Sequence, residues 1–253
     1  MSAQHLQAGV AGDPESPIHR LDPRAKLIGL TGVTLVAVTT PLHAWPVWAA
    51  CALALAAVAF TAKVGPGTLW TRARVVLPLV LFVAIFVPFV RKGGATFDIG
   101  PFQVSEAGLA VLAAVSAKAI LGTLSAVLLG ATTSFPDVLH ALERLKAPKL
   151  LVLIAAFMYR YLFVIVEEVR RMRAALAARG YAPRHALQVQ AIGRVATALF
   201  LRTYERAERV HLAMLARGWN QAMPRLDVLS FRRADTLFLI ALAAPLLATR
   251  VLA

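Results

Sequence analysis

Two arginines pose the question of what this chain does. Arg179 and Arg217 lie in Ala178-Arg179-Gly180-Tyr181 and Ala216-Arg217-Gly218-Trp219, so Ala-Arg-Gly-aromatic occurs twice. An apolar stripe at helical spacing leads into each: Ile165, Val169, Met172 and Leu176 before the first, then Val195, Leu199, Thr203, Ala207, Val210 and Met214 before the second. One more step along each stripe lands on the arginine. Each amphipathic helix thus ends with a guanidinium on its apolar side, and the glycine that follows can adopt the left-handed conformation that closes a helix. A planar guanidinium makes several directed bonds to carboxylates or carbonyls where an ammonium offers only a point charge. One such arginine is explained by snorkelling to lipid phosphate or by the negative helix C-terminus. Two in matched register point to helix ends docking, close together on one side of the membrane, into equivalent grooves of a two-fold or pseudo-two-fold partner.

Other chemistry is sparse. His5, His19, His43, His140, His185 and His211 are scattered, with no H-E-x-x-H pattern and no His/Cys grouping at ligand spacing, so no metal site is expected in the chain itself. No G-x-x-x-x-G-K-[ST] loop occurs to cradle nucleotide phosphates. Cys51 cannot form an internal bridge and reads as a small apolar residue. Lys118 lies inside an apolar run, where a charge is a functional hypothesis by default; pairing with an acid or a helix-end carbonyl is the expectation. Asp22, Arg24 and Lys26 could pin the N-terminal segment to the cytoplasmic helices through ion pairs, provided these are buried. Glu167 and Glu168 precede Arg170 and Arg171 at same-helix pairing distance.

The elements that must position these residues are membrane elements. Of 253 residues, 59% are apolar and 16% charged, and the net charge is +14; mean hydropathy is +0.69. A soluble domain carries about 25% charged residues. That balance excludes an ordinary soluble enzyme, a disordered tail and a disulfide scaffold. About half of the Lys and Arg fall within 170–233, which marks a region retained in the cytoplasm; no basic motif interleaved with aromatics suggests a nucleic-acid partner. Residues 1–26 lack a signal-peptide core. Apolar runs follow at about 27–42, 44–62, 75–90, 108–131, 149–166 and 235–253. The 75–90 run carries Pro78 and Pro88 and is expected to kink or tilt. Pro41 and Pro46 bracket a turn, with His43 and Trp45 at the interface, and a short hairpin is predicted through Ala95–Gln103.

Charge decides which runs cross. If 149–166 does not cross, Arg20, Arg24, Lys26, Lys63, Arg72, Arg74, Arg144, Lys146 and Lys149 lie inside and only Arg91 and Lys92 outside, as the positive-inside bias requires. Arg160 within that run is a further cost to crossing. The expected fold is an all-α integral membrane protein with about five transmembrane helices, plus two long and one short cytoplasmic or interfacial amphipathic helices. Its parts are an N-terminal cytoplasmic segment (1–26), transmembrane helices 1–4 (27–133), a cytoplasmic helical region (134–233) and a last transmembrane helix (234–253) ending outside. Ser134, Pro136 and Asp137 open the short helix as cap, first-turn proline and dipole partner. The long helices are predicted from about Lys149 to Arg179 and from about Ala186 to Arg217.

With these residues in view, the sequence resembles the transmembrane T component of energy-coupling-factor transporters, in its cobalt-transport (CbiQ-type) branch. The likeness covers nearly the whole chain. It rests on Ser16-Pro17-Ile18-His19-Arg20-Leu21-Asp22-Pro23-Arg24-Ala25-Lys26, on Thr132-Thr133 with Pro136, Asp137, Leu139, Leu142 and Pro148, on Tyr159-Arg160-Tyr161 and Glu167, and above all on the doubled Ala-Arg-Gly. The resemblance implies a non-catalytic, multi-pass subunit of a bacterial inner membrane. Ala178-Arg179-Gly180 and Ala216-Arg217-Gly218 would engage two ABC ATPase subunits, which bind the ATP and Mg, while this chain holds no cofactor. A small substrate-binding membrane subunit and membrane lipid would be the other partners, and His19, Asp22, Pro23, Arg24 and Lys26 would form a structural N-terminal motif. Cobalt is the implied cargo, with nickel or a vitamin open. The rival reading, a self-sufficient secondary transporter, requires discontinuous paired helices and a midplane polar cluster.

Overall fold

In the computed structural model, residues 16–41, 44–74, 78, 82, 96–99, 102–181, 189–219 and 231–252 are described. They are helical apart from one hairpin. In order they form α1 (Pro23–Thr39), α2 (Trp45–Thr61), α3 (Pro66–Ala73), β1 (Thr96–Ile99), β2 (Phe102–Ser105), α4 (Glu106–Thr132), α5 (Phe135–Arg144), α6 (Lys149–Ala178), α7 (Val189–Ala216) and α8 (Arg233–Leu252). The strands pair antiparallel with Thr96 opposite Ser105, so the expected hairpin is present, four residues to a strand. The short amphipathic α3 was not anticipated. Of the 75–90 run only Pro78 and Phe82 are described, both helical; the rest of that predicted span, like His43, lies outside the described residues. Among the described residues two helical stretches are long and apolar enough to cross a membrane, Gly108–Thr132 and Lys149–Ala178.

The chain divides into two compact units, Met1–Lys149 with Leu229–Ala253, and Leu150–Val228. The first is a bundle in which α1 packs against α4, α5 and α8, while α2 and α3 also lie against α4. Its core includes Leu30, Val33, Val47, Cys51, Leu55, Leu128 and Leu242. Gly29 lets α8 approach closely, since a Cβ there would stand 3.1 Å from the Phe238 ring. The outer faces are apolar as well: Leu35, Leu53, Phe60, Leu237 and Ile240 are exposed. Large apolar patches turned outward are what lipid, not water, solvates.

The α1–α4 contact has a regular antiparallel register. Lys26 Nζ donates to the Thr132 carbonyl at 3.0 Å, Ser125 Oγ to the Leu30 carbonyl at 2.7 Å, and Lys118 Nζ to the Val38 carbonyl at 2.8 Å. Thr132 ends α4 and Val38 belongs to the last turn of α1, so each helix lends a lysine to the carbonyls its neighbour cannot pair internally. Lys118, a charge within an apolar run, is thereby placed as a helix cap, beside which Arg250 Nη1 donates to Thr39 Oγ1 at 2.7 Å. Two cations at the negative end of α1 also suit its dipole.

Lys26 is the more deeply enclosed of the two lysines. It stands in the first turn of α1, ahead of the apolar run, and is 2% exposed. Burial pushes its ammonium down to about 8, against the opposing pull of Asp137, Asp22 and Asp235. Lys26→Met leaves two carbonyls unpaired and is expected to cost about 2 kcal/mol of stability, read as a lower melting temperature of the solubilised protein at pH 7. Because the folded value lies below that of the unfolded chain, the unfolded chain holds more protons between about pH 8 and 10. Wild-type stability should therefore gain on the methionine variant as pH rises through that window. A gap that stays constant from pH 7 to 10 contradicts the buried charge.

Candidate functional site

The two Ala-Arg-Gly ends fold identically. Gly180 and Gly218 both take φ of 74°. The Gly180 N–H donates to the Ala177 carbonyl and the Tyr181 N–H to that of Leu176, at 3.0 and 3.1 Å; the Gly218 and Trp219 N–H groups donate to Leu215 and Met214 at 2.9 and 3.0 Å. This paired pattern is the Schellman closure, in which a left-handed residue turns the chain back over the last carbonyls. It accounts for three motif positions: alanine as a good last helical residue, glycine for the positive φ, and the aromatic as the residue folded back. The arginine is left unexplained by the turn. Both Arg179 and Arg217 are exposed, and neither side chain bonds to a described residue. The stripes that lead to them are half-buried, Ile165, Val169, Met172 and Leu176 in α6 and Val195, Leu199, Thr203, Val210 and Met214 in α7, except for Ala207, which is exposed.

Glycine is not the only residue closing a helix this way. Lys63 and Lys146 hold φ of 51° and 65°, with the Val64 and Ala147 N–H groups returning to the Ala59 and Leu142 carbonyls at 3.1 and 3.0 Å. A strained lysine therefore serves after α2 and α5, whereas the ends of α6 and α7 use the residue that closes without strain.

Within the second unit α6 and α7 meet through a cross-helix ion pair. Arg202 Nη1 lies 2.6 Å from Glu168 Oε1, while Arg171 reaches Glu168 Oε2 at 2.6 Å and Glu167 Oε1 at 2.9 Å. The same-helix pairing expected of Glu167 and Glu168 is thus only part of the arrangement. Hydrogen bonds from Arg171 and Arg202 hold the Glu168 carboxyl below the usual carboxylate range. Further along, Trp219 packs edge-on against Phe157, ring centroids 6.5 Å apart, and against His211 at 6.3 Å. The pairs 168–202 and 157–219 run in opposite senses, so the helices are antiparallel where they touch. Phe157 is about six helical turns from Arg179, which sets the two arginines roughly 30 Å apart. The expectation of neighbouring tips is corrected: antiparallel packing sends the two C-termini to opposite ends of the pair. An apolar cleft of about 390 Å³ opens between the helices.

The N-terminal motif residues gather in the first unit. Asp22 caps α1, Oδ1 accepting the Arg24 N–H at 2.9 Å, with Pro23 in the first turn where its missing N–H costs nothing. The Arg24 Nε lies 3.7 Å from the same oxygen. His19 Nδ1 sits 2.6 Å from Ser16 Oγ, and the His19 carbonyl accepts from Lys26 Nζ at 3.1 Å. Among the described residues the segment is held to its neighbours by hydrogen bonds to backbone, and the ion pair of Arg24 with Asp22 stays within the segment itself. The anchor that sequence reasoning missed is Asp235, 1% exposed. Its Oδ1 accepts the Asp22 N–H at 2.7 Å and its Oδ2 the Arg232 N–H at 2.6 Å, joining the N-terminal segment to the start of α8. An acid in the first turn of an apolar helix is the available signal, and it reads equally as an ordinary dipole partner. Among the described residues no group of three His, Cys, Asp or Glu could hold a metal ion.

Residues 14–227 match the family model described as cobalt transport protein, CbiQ. The chain belongs to the CbiQ family. A cobalt transport protein CbiQ of Rhodobacter capsulatus is 34% identical over 82% of this chain and 81% of its own length. An energy-coupling factor transporter transmembrane protein EcfT of Listeria innocua is 28% identical over 89% and 90%. A putative ABC transporter ATP-binding protein of Bifidobacterium longum is 26% identical over 85% of this chain but 29% of its own length. The chain is thus a membrane-transport component of the CbiQ and EcfT kind.

The helix closures of this CbiQ-family chain are testable apart from any partner. Gly180→Ala or Gly218→Ala places a Cβ on a left-handed backbone at a cost of about 1–2 kcal/mol. The amide of Tyr181 or Trp219 should then exchange with solvent roughly five- to thirtyfold faster. Unchanged exchange in both variants contradicts the closure geometry.

Proposed function

We propose that this chain is the transmembrane coupling subunit of an energy-coupling-factor importer. Arg179 and Arg217 dock into grooves of two ABC ATPase subunits, and nucleotide-driven closure of those subunits is passed through α6 and α7 to a small substrate-binding membrane subunit. The observation that carries the reading is the matched pair of Schellman ends, each leaving a guanidinium exposed and unpaired among the described residues. Their separation of roughly 30 Å is about the diameter of a small domain, which suits one arginine per ATPase of a dimer better than two in one groove. The ATP-binding name of the Bifidobacterium longum relative supports the choice of partner class.

The mechanism is a population shift. ATP binding draws the two ATPases together, each carries a docked helix end, and the long helices bias the substrate subunit between orientations. Hydrolysis belongs to the partners, so this chain's residues bind, orient and transmit. In this reading α1, α2, the 75–90 run, α4 and α8 cross a bacterial inner membrane with the N-terminus inside. α6 lies at the cytoplasmic surface although it is long and apolar enough to cross; the exposed Arg160 and the charges at Glu167, Glu168 and Arg171 favour that placement. Cobalt ion is the proposed cargo, on the strength of the family and of the Rhodobacter capsulatus relative. Selection of the cargo lies with the substrate-binding subunit.

Arg179→Glu with Arg217→Glu should abolish co-purification with the ATPases from detergent, while the variant still elutes and melts like wild type. Each single variant should keep one contact and lose most ATPase-driven uptake. Full co-purification and transport in the double variant overturns the docking.

A further inference from the structure

The N-terminal segment and the start of α8 meet in a notch that docking at the ends of α6 and α7 leaves unused. Pro17, Arg20 and Leu21 line one side and Arg232, Ala234 and Asp235 the other, around about 410 Å³, far more than a single water fills. Its two guanidiniums come from opposite ends of the chain. Both arginines are exposed, and neither side chain has a partner among the described residues. The carboxylate beside them is already committed. Asp235 is 1% exposed, and its two oxygens accept the Asp22 and Arg232 N–H groups at 2.7 and 2.6 Å. Asp22 in turn takes the Arg24 N–H at 2.9 Å. Residues 16–26 and 231–235 carry Arg20, Arg24, Lys26, Arg232 and Arg233 against these two acids, so the notch turns positive charge outward while its acids face backbone.

Two guanidinium forks on one notch suit an oxyanion that accepts from both at once, a phosphate above all. A free phosphate and a lipid headgroup both offer one, and the flanks favour the lipid. Within two turns of the notch Ile28 on α1 and Leu237 and Ile240 on α8 are exposed, and Phe231 is exposed next to Arg232 in sequence. α1 and α8 pack against each other, so one helix pair offers cations at its start and, further in, apolar surface of the kind acyl chains cover. A free phosphate gains nothing from that surface, and an acidic peptide would leave it bare. We propose that this notch binds the phosphate of one anionic phospholipid, Arg20 and Arg232 both donating to it, with the acyl chains lying along α1 and α8. This rests on the functional reading only in setting the starts of these two helices at the cytoplasmic face of the bilayer, where anionic lipid is concentrated. The lipid would join the N-terminal segment to α8 from outside, as Asp235 joins them from within.

The test uses the full chain, purified, delipidated and returned to bilayers of equal phosphatidylglycerol and phosphatidylcholine with the same chains, with retained lipid counted by native mass spectrometry. Phosphatidylglycerol should be retained by about tenfold over phosphatidylcholine, the low end of what hydrogen bonds to a charged group supply. Arg20→Gln or Arg232→Gln should cut that preference to roughly threefold, and the two together should erase it. Arg20→Lys with Arg232→Lys should keep part of it. Arg233→Gln, a neighbouring cation outside the notch, should leave it unchanged. Excess inorganic phosphate should not displace the lipid, and a photo-crosslinker at position 234 should label lipid. Equal retention of the two lipids, a preference that survives the double glutamine variant, an equal loss in Arg233→Gln, displacement by inorganic phosphate, or labelling of a polypeptide would each overturn the proposal. Wild-type melting of the glutamine variants shows that they lost the lipid and not the fold. Arg179→Glu with Arg217→Glu should retain the lipid as wild type does, so the notch and the helix ends are judged separately.

Discussion

Every α-helix leaves its last carbonyls without intrahelical donors, and in a chain this apolar few side chains can supply them. Much of the structure follows from where the missing donors come from. In the bundle they are lysines lent across the α1–α4 contact, Lys26 to the end of α4 and Lys118 to the end of α1. Elsewhere the backbone closes on itself, with Lys63, Lys146, Gly180 and Gly218 as the left-handed residues. The first solution fixes the register of two helices against each other. The second asks nothing of a neighbouring helix, and at α6 and α7 it stands beside an exposed arginine.

The opposite ends obey a matching rule, with carboxylates and a hydroxyl receiving the first N–H groups. Asp22 caps α1, Ser134 caps α5 and Asp235 serves α8. Asp235 does more than its own helix requires, because its other oxygen takes the Asp22 N–H. Together with Lys26, which bonds both His19 and Thr132, it gathers the N-terminal segment, the start of α8 and the end of α4 at one end of the bundle. Those bonds run to backbone atoms, so the geometry survives without the long-range ion pairs that surface charge would suggest, and it is little affected by salt.

This explains what could be read in advance. The Ala-Arg-Gly ends were legible because a stripe of period 3.6 ran into a glycine, and periodicity and closure are both written in side-chain types. The α5 start was legible in Ser134-Pro136-Asp137 for the same reason. Asp235 and the acceptors of Lys26 and Lys118 were not, since a carbonyl has no letter of its own and a lysine's partner across 80 or 106 residues leaves no local trace. Lys63 and Lys146 as left-handed closures were hidden because lysine carries no turn signal. The wide separation of Arg179 and Arg217 was missed because stripe analysis finds the face of a helix and is silent on the direction in which its neighbour runs.

One consequence of the Glu168–Arg202 pair is mechanical. It grips α6 off-centre, roughly 16 Å from Arg179 and roughly 28 Å from Lys149 along the axis. A stiff rod pivoting there is a see-saw with unequal arms. A sideways push at its short arm would emerge at the long one reversed in sense and almost doubled in amplitude.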